Sequence, residues 1–201
     1  MTTLVSQDTT GENITQNPSK LLKEAIPLQH EWTFWHDKFI YTQNTSEYET
    51  NLKDLYTVST VQEFWSVYNN LFTPDKLQNR NSLHFMKKGI KPIWEDPKNE
   101  YGGSYCFRVK KEDSTLVWRE LLMLIIGEQF EETILGEDEI CGISVSSRWN
   151  ADIIQIWNSN ARYMNETGVF QKIKHSVKDM EFQATYYKAH KDHSDFKPKG
   201  N

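Results

Sequence analysis

Few side chains here combine residue type and spacing in a way that could do chemistry, and they fall in three places. The first is Lys91 to Asn99, KPIWEDPKN, where Trp94 and Glu95 adjoin between Pro92 and Pro97 in a predicted loop. The second is His190, Asp192 and His193, which could in principle ligate a metal. They stand beside a polar tail without further nearby ligands, so a solvated segment is the better reading. The third is the pair of acidic runs, Glu131-Glu132 and Glu137-Asp138-Glu139. Their pattern fits a charged loop more closely than an acid/base pair, which needs one carboxyl shifted by burial. Gly-x-Ser-x-Gly, a phosphate-cradling Gly-rich loop and His-Glu-x-x-His are all missing, so neither an enzyme, a metal site nor a bound cofactor is expected.

Two readings compete for Trp94-Glu95. In one, the indole folds back over core and the carboxylate is solvated. In the other, both are recognition groups. A carboxylate can accept both edge donors of guanine, N1–H and the exocyclic amine, while the flat base stacks on an aromatic ring. Methylation at N7 adds positive charge to the base and hence a cation–π attraction.

The elements that must position such residues are modest in number. The chain has 201 residues, 37% of them hydrophobic, with seven tryptophans and two cysteines, Cys106 and Cys141. That is enough for one domain with a core, and it excludes a disulfide scaffold or four-cysteine zinc site. A net charge of −5 excludes the global positive field of a protein that coats nucleic-acid backbone. No apolar run is long enough to span a membrane. Flexible tails are expected at 1–25 and 194–201, flanking one domain at 26–193.

Within it, Leu28 to Trp35 reads as a strand, and Ser59 with Gln62 as the start of a helix carrying Phe64, Trp65, Tyr68 and Leu71. Tyr105, Phe107 and Val109 alternate with polar residues as a half-buried strand. A helix from Asp113 or Ser114 to about Phe130 follows, then strands at Cys141–Val145 and Ile153–Trp157 around a turn at Trp149-Asn150-Ala151-Asp152. A third helix around Val169–Val177 and a last strand at Phe182–Tyr187 complete an α+β domain.

The runs HEWTFW (His30 to Trp35), VQEFWSVYNNL (Val61 to Leu71), GIKPIWEDPKNEYGG (Gly89 to Gly103), LLMLIIGEQF (Leu121 to Phe130), ICGISVSSR (Ile140 to Arg148) and DIIQIWN (Asp152 to Asn158) together resemble the mRNA cap-binding translation initiation factor 4E family. The resemblance covers roughly Ile26 to His190. It implies a strongly curved, mostly antiparallel sheet of about eight strands with three helices on the convex face. The 7-methylguanosine cap would lie between Tyr48 and Trp94, with Glu95 on the guanine edge, Trp157 at the N7-methyl group and Arg148 at the phosphates. On the convex side, Pro27, Val61, Trp65, Ile126 and Gly127 match a surface that docks Tyr-x-x-x-x-Leu-hydrophobic helices of the scaffold factor 4G or 4E-binding proteins. The competing reading of Trp65 is core packing beside Phe64 and Tyr68.

Departures accompany the matches. Tyr48 stands where most members have tryptophan, Ile153 where a lysine meets phosphate, and Ser104 where a basic residue is usual. The first two lean toward the 4E-homologous, frequently repressive subclass, whereas Trp32 is that of the mainstream factors. The resemblance therefore implies a cytoplasmic, or also nuclear, monomer that binds capped mRNA and regulates initiation. Its alternatives are a 4E-homologous repressor, a generic single-stranded RNA binder and a partner-only decoy.

Overall fold

The computed structural model describes residues 24–39, 51–178 and 180–193. Tyr48 and the expected tails lie outside these, except for Glu24 and Ala25, which stand exposed. Seven strands form a single curved sheet: β1 (Pro27–Asp37), β2 (Leu52–Thr60), β3 (Ser82–Lys87), β4 (Gly103–Val109), β5 (Ile140–Ser147), β6 (Asp152–Asn158) and β7 (Ala184–Ala189). Their order is β2-β1-β3-β5-β6-β4-β7, and every pairing is antiparallel. Helices α1 (Val61–Tyr68), α2 (Lys111–Ile126) and α3 (Val169–Ser176) supply the second layer.

Strand alternation sorts the sheet's side chains onto two faces. Trp32, Phe34, Phe85, Tyr105, Phe107, Ile143 and Ile156 join the helices in the main core. Helix α2 adds Val117, Trp118, Leu121, Leu122 and Ile125, all buried, each stabilising by roughly 1.5–3 kcal/mol. The opposite, helix-free face carries Trp35, Met86 and Trp157, which form a cluster of their own with Ile90, Cys141 and Trp94.

Several boundaries differ from those predicted. The first helix is capped by Thr60, not Ser59, and the capping box pairs Thr60 with Glu63. Ser59 still belongs to β2, and its backbone and hydroxyl donate to the same Glu63 carboxylate. Helix α2 starts at Lys111 and ends at Ile126, four residues short of Phe130. Its end is a Schellman arrangement in which the N–H groups of Glu128 and Gln129 donate to Ile125 and Leu124 carbonyls. Glu128 takes the left-handed position, φ 51°. Strand β4 is buried on both faces, Cys106 included, because β6 and β7 flank it. Strands β2 and β3 carry no clear sequence signal: β2 is a sheet edge with a mostly exposed pattern, and β3 is short, with its polar residues Ser82 and His84 bonded to Ser146 and Ser144.

Candidate functional site

The loop that carries Trp94 begins at Gly89, whose φ of 86° allows the chain to turn sharply out of β3. Asp96 then organises it. The buried Asp96 carboxylate accepts from the backbone N–H groups of Lys91 and Lys98, both at 3.0 Å. Asn99, fully buried, donates its side-chain amide to the carbonyls of Lys91 and Ile93, both at 2.8 Å. These bonds hold the peptide on either side of Trp94 and Glu95, so both half-buried side chains project from a braced loop. Trp94 packs against the cluster containing Trp157, which is 4% exposed on β6.

His190 and His193 overturn the expectation of a solvated segment. His190 is fully buried at the end of β7. Its Nδ1 lies 2.7 Å from the Asn99 carbonyl and its Nε2 3.0 Å from the Ser104 hydroxyl. A carbonyl only accepts, so Nδ1 carries the proton and Nε2 accepts from Ser104. Burial pushes the pKa of His190 down to about 4, the Asn99 bond opposing it, so the ring is neutral at pH 7. The same ring leans on Trp157 at 4.7 Å between centroids. Three residues on, His193 stacks on Trp94 at 3.9 Å and 22°. Together they tie the Trp94 loop to β4 and β6. Ser104, matched above to a basic position, is wholly buried in this network.

The run 137–139 is not a solvated charged loop either. Asp138 is 7% exposed and accepts from the Asn158 amide at 2.8 Å, the Asn160 N–H at 2.9 Å and the Ser159 hydroxyl at 3.2 Å. Burial raises its pKa against those bonds. Glu139 bridges Lys87 at 3.0 Å and Lys98 at 2.9 Å, fastening the Trp94 loop to β3 and β5. Asp138 and Glu139 act as joints between segments that adjacency in sequence does not reveal.

Arg148 lies elsewhere. It is exposed at the end of β5, where its N–H donates to the Ala151 carbonyl at 3.0 Å. Ile153, half-buried on β6, pairs across the sheet with Arg108 and Ser146. Strand rise puts these residues about 13 Å from Trp157 along the same face.

On the helical side, Pro27 pairs with Thr60, and the Val61 N–H donates to the Ile26 carbonyl at 2.9 Å, so Pro27 and Val61 adjoin. Trp65 is half-buried, edge-on to Phe64 at 5.4 Å and to Tyr68 at 5.6 Å. It therefore packs on the core while keeping an accessible edge. Ile126 is half-buried and Gly127 exposed at the end of α2. A cavity of about 220 Å³ lies nearby, lined by His30, Trp32, Lys87 and Glu128 among others.

Nucleophile chemistry has no foothold in the thiols. Both cysteines are buried, which pushes Cys106 up to about 11 and Cys141 higher still, so neither is a thiolate at neutral pH. Among the described residues no group of three His, Cys, Asp or Glu could hold a metal ion, and no helix is long and apolar enough to cross a membrane.

Comparison with known proteins converges on one family. The model described as Eukaryotic initiation factor 4E matches residues 27–201. Eukaryotic translation initiation factor NCBP of Triticum aestivum is 33% identical over 168 residues, covering 83% of this chain and 69% of that protein. Eukaryotic translation initiation factor 4E-1 of Capsicum annuum is 38% identical over 156 residues, covering 78% of this chain and 66% of that protein. The chain spans 58% of a third relative, the NCBP of Oryza sativa subsp. japonica, so it accounts for between 58% and 69% of the length of these curated relatives. C. elegans eIF4E-3, solved with the 4E-binding protein Mextli and cap analog, superposes with a TM-score of 0.75 at 32% identity, covering 84% of this chain and 95% of that one. Ascaris suum eIF4E-3 with m7G cap gives 0.72 at 31% identity, covering 87% and 96%. With a family match running from residue 27 to 201 and a relative 33% identical over 83% of its length, the chain belongs to the eukaryotic initiation factor 4E family.

Proposed function

We propose that the chain binds the 7-methylguanosine cap of mRNA on the helix-free face and regulates translation initiation in the cytoplasm by tethering capped mRNA to a partner helix. The observation that carries this reading is the joining of Trp94 and Trp157 in one cluster beside Glu95, on a loop braced independently of either side chain. The base stacks on the face of Trp94 opposite His193, with Tyr48 as the second ring, and Glu95 accepts the two guanine donors. The solved complexes of C. elegans and Ascaris suum eIF4E-3 with cap ligands support the ligand class. Each stacked ring contributes about 1–3 kcal/mol. Cation–π attraction to the methylated base adds about 0.5–2 kcal/mol per ring once desolvated.

Retention on immobilised 7-methyl-GTP tests this directly. Wild-type protein is expected to bind and Trp94→Ala to lose most retention; equal retention of both would refute the assignment. Binding weaker than in members with basic residues at these positions is expected, since Ile153 offers phosphate no charge and the Ser104 side chain is committed to His190. The 4E-homologous, repressive mode follows if the cap is held while scaffold factor 4G is not recruited.

For the opposite face, we infer a docking site for a helix of the Tyr-x-x-x-x-Leu-hydrophobic class, centred on Trp65 and bordered by Pro27, Val61, Ile126 and Gly127. The C. elegans relative solved with Mextli supports the partner class. Trp65→Ala is expected to weaken binding of such a peptide by at least tenfold, a loss typical of a tryptophan anchor, while 7-methyl-GTP retention is unchanged. Titration of both ligands against the same preparation checks it. Joint loss would make Trp65 a folding residue.

A further inference from the structure

Trp149 is 86% exposed at the tip of the β5–β6 hairpin, and no role in the cap slot or on the partner face reaches it. A lone surface indole is unremarkable, but this one has a particular setting. Arg148 precedes it. Asn150 follows, and its side-chain oxygen accepts from the Arg108 guanidinium at 2.7 Å, pinning the hairpin tip to β4. Arg108 also donates to the Gln183 side chain at 3.0 Å. Tyr186, 46% exposed on β7, lies close enough to Arg148 and Arg108 for both charges to act on its phenol. The neighbouring carboxylates are engaged: Asp152 by Lys111, and Glu181 by Lys110 at 4.0 Å. Two exposed aromatics interleaved with two guanidinium groups form the pattern by which proteins hold single-stranded nucleic acid without reading its sequence: stacking platforms beside cations that meet the backbone.

The patch is also correctly placed relative to the slot. Trp157 stands five residues along β6 from Asp152, where the hairpin ends, about 17 Å at strand rise. On the helix-free face, Gln155 and Tyr186 both pair with Cys106 and occupy the intervening row. A cap nucleotide held at Trp94 and Trp157 cannot itself touch Trp149, whereas the chain leaving its phosphates passes Tyr186 and Arg148 on the way there.

We propose that Trp149, Tyr186 and Arg108 form a shelf for the nucleotides that follow the cap, with Trp149 stacking on one of the first transcribed bases. The assignment rests on the cap reading above and extends it from a single nucleotide to the start of the message. Net charge argues against a long backbone track, and the shelf requires only a few nucleotides.

The test uses the whole 201-residue chain with three probes: 7-methyl-GTP, a short capped adenosine oligonucleotide and the same oligonucleotide uncapped. Wild type is expected to bind the capped oligonucleotide more tightly than 7-methyl-GTP. Trp149→Ala should leave the Kd for 7-methyl-GTP unchanged and weaken that for the capped oligonucleotide by roughly 5- to 100-fold, and Trp149→Phe should restore most of the loss. Unchanged affinity for the capped oligonucleotide, or equal loss for both capped ligands, overturns the shelf alone. Failure of wild type to bind 7-methyl-GTP overturns the cap reading and the shelf with it. If Trp149→Ala instead weakens only a partner peptide, the patch is a protein-docking surface and the proposal is wrong.

Discussion

Glu95→Ala is expected to weaken 7-methyl-GTP binding by about 10²- to 10⁴-fold while leaving thermal stability nearly unchanged. Hydrogen bonds to a charged acceptor contribute about 1.5–3 kcal/mol each, and guanine offers two donors to one carboxylate. Their loss removes about 3–6 kcal/mol, which corresponds to that range of affinity. Stability should be spared because the loop is held by Asp96 and Asn99, its neighbours, rather than by Glu95. Glu95→Gln provides the sharper control. An amide presents one acceptor and one donor, so it faces a guanine donor with a donor of its own and should recover little. Isothermal titration paired with a melting curve measures both quantities. A loss below threefold, or a large fall in Tm, would remove Glu95 from the slot.

His190→Ala is expected to cost about 2–4 kcal/mol of stability, or roughly 5–15 °C in Tm, and to weaken cap-analogue binding at the same time. Truncation leaves the Ser104 hydroxyl and the Asn99 carbonyl without their ring partner and opens space against Trp157. The Trp94 loop then loses its tie to β4, which is why affinity should fall although His190 is placed on neither the guanine edge nor the stacking faces.

The same residue predicts a pH dependence. Folding lowers its pKa from 6.5 to about 4 through burial, so between those values the unfolded chain binds more protons than the folded one. Stability from the neutral ring is therefore complete above about pH 6.5 and is lost as pH falls toward 4, by up to about 3 kcal/mol. His84, whose pKa is pushed down to about 3 by burial, extends the loss in the same direction. Melting curves from pH 7.5 to 4.5 should show wild type losing more Tm than His190→Ala. Parallel slopes would show that His190 does not titrate as its surroundings require.

Contiguity decided what could be read early. Trp94 and Glu95 are neighbours in the chain, and a carboxylate beside an indole has a recognisable affinity for a flat base with two edge donors. The α2 helix was legible because its apolar residues are dense and periodic. Its true end was not, since a left-handed Glu128 closes it where glycine is the usual residue. Ser59 and Thr60 both have capping chemistry, and only backbone conformation separates the one still in β2 from the one at the helix start. The half-burial expected of β4 failed for another reason: whether Cys106 and Ser104 meet solvent depends on which strands lie alongside, and β7 is contributed by residues some eighty positions away.

The histidines and acidic runs carry the strongest contrast. By their surroundings in sequence, His190 beside a polar tail and Asp138 within an acidic run have the composition of solvated residues. In the fold each is buried and bonded to partners distant in sequence, His190 to Asn99 and Ser104, Asp138 to Asn158 and Asn160. Residue type and local spacing by themselves determined the family, the layered α+β plan and the Trp94-Glu95 pair of one loop as the candidate for recognition, because each rests on short-range pattern. Tertiary structure alone decided that Trp157 and Trp94 share a cluster, that Ser104 is spent on a buried histidine and that the hairpin tip carrying Trp149 is pinned to Arg108 through Asn150. Those outcomes depend on desolvation and on hydrogen bonds closed across the sheet, and neither exists until the strands have paired.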